Sequence, residues 1–473
     1  MAHIKFREEI LLKGGKMSET AANGEIKTTE IEDTESAQIS SSPIPAVGLS
    51  LRLNFSWTLL GNVVSSICQW GMLVMLAKLG TPEKVGRLAL GYAITAPVMM
   101  FANLHLRTIL TTDTKGEHPF ANYLGLRTMT TALAFAVIIG IALFSRYNPE
   151  TSLVILAIGM TKAFESVSDI YYGLLQHHER MDRIAISSMI KGTLSLAVFC
   201  ITFYLTKSVF LGSLGTVVVL GLMLLLFDVN SARLIARAIQ QRKQDGCAQV
   251  VEIELRPSWH AKPLYNLAVV AFPMGIVMLL ISLNVNIPRY FIERYMGERD
   301  LGIFAAMTYL MIAGTIVISA LAQSAIPRLS KHYAAGEKHE FTRLLMKLTA
   351  MGALIGVLCI GVVAAAGGWI LNMLYGPEYA VHKNVFLWIA VASAVSFVQW
   401  FLGDGITAAR YFRIQPVLLT VVTVITTLAC LWLVPAYGLI GAAYALVIAN
   451  VILLLGILCV NIHAVARLGK NCQ

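Results

Sequence analysis

Residues 76–93 read LAKLGTPEKVGRLALGYA, and residues 292–309 read IERYMGERDLGIFAAMTY. Both run through a glycine, a short charged turn and a second glycine into a helix rich in small residues. The second glycines, Gly86 and Gly302, lie 216 positions apart, half the length of the hydrophobic region. Each copy follows a long apolar run, 55–77 in the first case and 265–287 in the second. The copies therefore sit on the same side of a membrane after an odd-numbered span, so the repeat is parallel rather than inverted. Glycine and other small residues are common in membrane helices for packing alone. The repeat gains weight from the charges that accompany it.

The surrounding chain fits this reading. Of its 473 residues, 57% are hydrophobic and 14% charged, against about 45–50% and about 25% in soluble domains. That excludes a soluble enzyme and points to an all-α integral membrane protein. The alternating segments of about 10 residues expected of a membrane β-barrel are absent. Apolar runs long enough to cross the bilayer predict twelve spans: 55–77, 88–106, 128–144, 152–174, 184–205, 208–227, 265–287, 301–325, 347–370, 385–403, 416–434 and 438–460. With the N-terminus in the cytoplasm, 25 Lys and Arg fall in cytoplasmic segments and 9 in external loops, which places both termini inside. Lys162, Lys191 and Lys347 fall within spans. The net charge of +10 reads as this bias and not as nucleic-acid binding.

The expected organisation is a disordered cytoplasmic tail over 1–51, a first six-helix half over 52–227, a cytoplasmic linker over 228–264, a second half over 265–463 and a short tail over 464–473. The first tail is polar and net acidic, with no secretory apolar core, so no cleaved signal peptide is expected, and Met17 is an alternative start. Seven cysteines show no CxxC spacing; five lie in apolar runs and read as small buried hydrophobes, so no metal site is expected.

Three stretches resemble the Wzx-type polysaccharide, or O-antigen, flippases of the multidrug/oligosaccharidyl-lipid/polysaccharide exporter superfamily. They are residues 54–110, residues 284–337 and VPAYGLIGAAYALVIANVILLL at 434–455. The resemblance spans all twelve helices. It implies a V-shaped pair of lobes around a central cavity, alternating access, and a bacterial inner membrane. It also implies transfer of an undecaprenyl-diphosphate-linked oligosaccharide between leaflets for surface polysaccharide biosynthesis, with a polysaccharide polymerase as a candidate partner. A peptidoglycan-precursor flippase and a cation-coupled multidrug antiporter of the same superfamily are the nearest alternatives; a membrane polymerase would need a larger external loop. No ATP-binding or catalytic motif occurs, so no cofactor is expected and energy would come from H+ or Na+ or from the substrate gradient.

Moving a glycan with an anionic diphosphate through hydrocarbon requires a hydrated cavity with positive charge, because desolvating those groups is costly. Lys162, Glu165 and Asp169 share one 60° sector of the fourth span at 100° per residue. Lys191, at similar depth on the next span, is expected to pair with Asp169 or Glu165, leaving Lys162 freer to meet an anion. The four either form an anion path or lock two spans together; Glu165 or Asp169 could also couple transport to an ion. Arg107 follows the second span as an Arg does in the family, and suits the entering diphosphate or a membrane anchor. Asn103 and His105 precede it. Asn62, Ser65, Ser66 and Gln69 form a polar stripe on the first span, for cavity lining or interhelical bonding. The seventh span has Pro273 in its interior and ends in Asn284, Asn286, Pro288 and Arg289. The prolines read as hinges, and the Pro-Arg pair matches the family, with Arg289 expected at the external mouth. Asp404, Arg410 and Arg413 form a candidate cytoplasmic gate or a solvated loop.

Overall fold

The computed structural model describes residues 49–113, 117–145, 147–244, 253–409, 411 and 414–468. Met17, nearly all of the acidic tail, Arg410 and Arg413 lie outside them. Lipid offers no partner to peptide N–H and C=O groups, so an apolar chain must satisfy them within helices. Every regular element of the described residues is a helix. In order they are α1 (Leu51–Leu79), α2 (Pro82–Ala102), α3 (Leu106–Thr112), α4 (Phe120–Phe144), α5 (Pro149–His177), α6 (Met181–Thr206) and α7 (Val209–Met223). A π-helical turn, Leu224–Asp228, joins α7 to α8 (Val229–Gln244). Then follow α9 (Ala261–Met296), α10 (Glu298–Leu310), α11 (Ile312–Ala334), α12 (Lys338–Leu374), α13 (Pro377–Ala380), α14 (Lys383–Ala408) and α15 (Gln415–Leu468). Pro82 and Pro149 open α2 and α5 at the position where a missing N–H is harmless.

Nine helices of the described residues are long and apolar enough to cross a membrane. All twelve expected spans fall on helix. The difference in number has local origins. α5, which carries Glu150, Lys162, Glu165 and Asp169, is not among the nine; α15 covers the last two expected spans with a break at Gly438 (φ +60°). The expected span 301–325 is interrupted at Met311, where three-residue hydrogen bonds replace the α pattern: Met311 N–H to Thr308 and Gly314 N–H to Met311. The second span stops at Ala102 rather than 106, because Leu104 (φ 47°) and His105 (φ 52°) turn left-handed. The stretch 228–264 is more than a linker: α8 buries Ile235 and Ile239 against Leu175 and Ile184. Farther on, Ser258 N–H bonds the Ala121 carbonyl at 2.9 Å.

α2 is the central helix, with 67% of its most apolar window buried, against 17% in α9, whose exposed Val269, Val270 and Phe272 face where lipid would be. The two repeat motifs meet each other. A Cβ on Gly86 would stand 1.7 Å from the Glu298 carbonyl oxygen, and one on Gly302 would stand 2.0 Å from that of Pro82. Only glycine allows α2 and α10 this close. Charges surround the contact. Arg87 pairs with Glu298 at 2.7 Å and with Glu150, Thr151 donates to Glu298, and Arg299 reaches Glu378 at 3.2 Å and Glu83 at 3.8 Å. The first and second halves are thus bolted together at the end that the charge bias assigns to the outside.

Candidate substrate cavity

A cavity of about 490 Å³ lies beside α2, walled by α1, α2, α3, α5, α6 and α7, with Tyr309 of α10 the one second-half residue on its lining among the described residues. Among the described residues, this cavity is built almost wholly by the first half. Its wall presents Arg107, Lys162 and Lys191 together with Glu165 and Asp169. The helical spacing that put Lys162, Glu165 and Asp169 in one sector of α5 does bring all three to the cavity.

The pairing inside it differs from expectation. Lys162 is not the freer cation. Its Nζ donates to Glu165 at 2.6 Å, one turn along the same helix, and sits 5.4 Å from the Tyr92 ring centre. Asp169 is held instead by two arginines, Arg107 and Arg127, each at 3.1 Å. Arg107 also donates to Gln176 at 2.9 Å and stacks over Tyr172. Arg127, fully buried, donates as well to Asn103 and, at 3.4 Å, to Ser166; the Ser166 hydroxyl donates to Asn103 at 2.6 Å. The left-handed pair Leu104 and His105 makes this possible. It ends α2 directly after Asn103 and starts α3 just before Arg107, so both residues meet Asp169 and its partners.

Lys191 bonds neither Asp169 nor Glu165. Its Nζ donates to Asp228 at 2.6 Å, to Ser168 at 2.8 Å and to Tyr172 at 2.9 Å. α6 and α7 are adjacent antiparallel helices, and the π-turn, which ends at Asp228, adds one residue to the register there, a common device at functional positions. Asp228 also accepts from Ser187 at 2.6 Å and has 1% of its side chain exposed. Arg127 and Asp228 escaped the sequence reading because each lies one residue beyond a predicted span, at 128 and 227. The apolar FANYLGL before Arg127 was the available signal that α4 starts earlier, at Phe120.

Other expected site residues divide. Ser65 and Gln69 line the cavity; Asn62 is exposed, and Ser66 is off the lining. Asn284 ties α9 to α15 through Thr423 at 2.9 Å, and Asn286 bonds its own helix at Ser282. Arg289 is not at a mouth. It is buried in α9, bonded to Asn286 at 3.1 Å, with no carboxylate of the described residues paired to it. Pro273 and Pro288 lie inside a helix that stays continuous, so α9 shows no break where hinges were expected. Asp404 is half-buried near the end of α14, and its expected partners fall outside the described residues.

The polysaccharide biosynthesis protein family matches residues 51–333. The capsular polysaccharide biosynthesis protein CapF of Staphylococcus aureus is 26% identical over 404 residues, covering 85% of this chain and 97% of that protein. Among solved structures, an inward-facing multidrug resistance MATE family transporter of the MOP superfamily superposes with a TM-score of 0.67 at 12% identity, over 87% of this chain and 99% of that one. The lipid II flippase MurJ, in an inward closed conformation, gives 0.67 at 13% identity, over 88% and 90%. At such identities the likeness speaks for the fold, which is that of the exporter superfamily. With more than half its length matched by the family model, this chain belongs to the polysaccharide biosynthesis protein family.

Proposed function

We propose that the protein carries a diphosphate-linked, isoprenoid-anchored glycan unit from the inner to the outer leaflet of a bacterial cytoplasmic membrane for surface-polysaccharide assembly. Both termini lie in the cytoplasm in this reading, and the cavity opens to one side at a time. The observation that carries it is the cavity wall itself: three cations, Arg107, Lys162 and Lys191, against two acids, Glu165 and Asp169, facing one 490 Å³ space. Intramembrane charges are costly and mark pathways. A cationic drug would call for carboxylates without such partners, whereas here each acid on the wall is already paired with a base. The CapF relative and the flippase fold support the same substrate class.

Energy would come from an H+ or Na+ gradient or from the substrate gradient. Deletion in the native organism tests the reading. Accumulation of inner-leaflet isoprenyl-diphosphate oligosaccharide is the expected result. Normal surface polysaccharide with altered drug tolerance would sink it. Within the protein, Lys162→Ala at normal abundance should lower transport at least tenfold; unchanged transport removes Lys162 from the anion path.

A further inference from the structure

Each cation on the cavity wall is engaged, so an anion must take it from a carboxylate. For two of the three this is easy. Glu165 keeps 42% and Asp169 31% of their side chains exposed on the cavity wall, where water can solvate them once Lys162 or Arg107 turns away. Lys191 is different. Its ammonium has three N–H groups and three acceptors, Asp228, Ser168 and Tyr172, so no donor is spare. Asp228 lies behind the wall, off the cavity lining, with 1% of its side chain exposed. If Lys191 swings to an anion, that carboxylate stays buried with its charge uncompensated, which buried acids tolerate poorly.

We propose that Asp228 is the proton-accepting partner of the anion site: Lys191 passes from Asp228 to the substrate diphosphate as Asp228 takes one proton from a hydronium ion of the buffered solvent. The carboxyl O–H forms as the hydronium O–H breaks, leaving neutral water and one protonated buffer molecule fewer, and the neutral acid keeps its contact with the Ser187 hydroxyl. The groups facing Asp228 fit this role. α6 supplies Lys191 and Ser187; α5 supplies the neutral phenols Tyr172 and Tyr171; α8 supplies only Arg233, exposed, beside Tyr171. No second buried cation of the described residues replaces Lys191. This assignment rests on the anion-cavity reading above and gives that reading a proton stoichiometry. It moves coupling from Glu165 or Asp169 to Asp228.

Calorimetry on the purified full chain tests it, with farnesyl diphosphate as the probe, at pH 8 in two buffers of different ionisation enthalpy. That pH is well above about 6, where a phosphate last ionises. Wild type should take up close to one proton per probe bound, and its affinity should rise about tenfold per unit fall in pH. Asp228→Asn should bind with no proton uptake and no pH dependence. Lys191→Met should bind more weakly, through Arg107 and Lys162, also without uptake. Binding without uptake in wild type, or undiminished uptake in Asp228→Asn, overturns the proposal while the anion cavity stands. Failure of wild type to bind the probe overturns both.

Discussion

Two arginines hold the same carboxylate for different reasons. Arg107 keeps 29% of its side chain exposed on the cavity; Arg127 keeps none and also serves Asn103 and Ser166. Removing Arg127 takes away a fully buried donor shared by Asp169, Asn103 and Ser166, which costs about 1–3 kcal/mol. Removing Arg107 breaks a part-exposed pair worth about 1 kcal/mol or less. Arg127→Met should therefore unfold the protein at markedly lower temperature in detergent, while Arg107→Met should keep its melting point and lose diphosphate affinity. Equal losses of stability would show that the two share one role. The sequence revealed the α5 charges because helical spacing alone gathers Lys162, Glu165 and Asp169. It hid their partners because pairing across helices depends on where neighbouring helices start. A hydropathy run trims a charged residue from a helix end, as it did with Arg127 and Asp228.

At the scale of elements, apolar runs located helices under every expected span, nine of them long and apolar enough to cross a membrane among the described residues, since a bilayer demands length and composition and little else. The departures fall where composition is uniform but geometry is not: the left-handed turn at Leu104 and His105, the π-turn ending at Asp228, the interruption at Met311. The turn has a measurable energy. A left-handed backbone costs a side chain about 1–2 kcal/mol and glycine almost nothing. Leu104 is also buried in the core, so His105 is the position that isolates the backbone effect. His105→Gly should raise stability by up to about 1 kcal/mol, and His105→Val, branched at Cβ, should lower it. A thermal melt of both reads the sign; a loss in the glycine variant would mean that the His105 contact with Thr108, 3.0 Å, outweighs the strain. The α2–α10 crossing makes the opposite demand. Any side chain at Gly302 collides with the Pro82 carbonyl, so Gly302→Ala must push the helices apart and should depress both abundance and transport, whereas alanine at Gly361, which has nothing within 4 Å, should do neither.

For the whole molecule, that crossing ties the two halves of the chain together. The repeat read from Gly86 and Gly302 turns out to be an interface, with each copy pressed on the other and stapled by Arg87, Glu150 and Glu298. Among the described residues the cavity wall comes from the first half apart from Tyr309, while the staple joins both halves at one end of α2. If transport opens the cavity alternately to the two sides, the α2–α10 contact must part once per cycle, and its ion pairs bias the equilibrium toward the arrangement described here. Arg87 and Glu298 keep only 18% and 21% of their side chains exposed, so their pair is less screened than a surface one. A coupling of about 1–2 kcal/mol would shift the ratio of the two arrangements by about 5- to 30-fold. Ser65 reports the shift, because it lines the cavity. In a variant whose cysteines are all replaced and Ser65 is changed to Cys, a membrane-impermeant maleimide should label from the side away from the α2–α10 contact. Adding Arg87→Met or Glu298→Gln should raise labelling from the other side severalfold, and the double change should add little more than either alone, since both remove one pair. Labelling that stays on one side in all three variants would mean that the glycine contact alone holds the end closed.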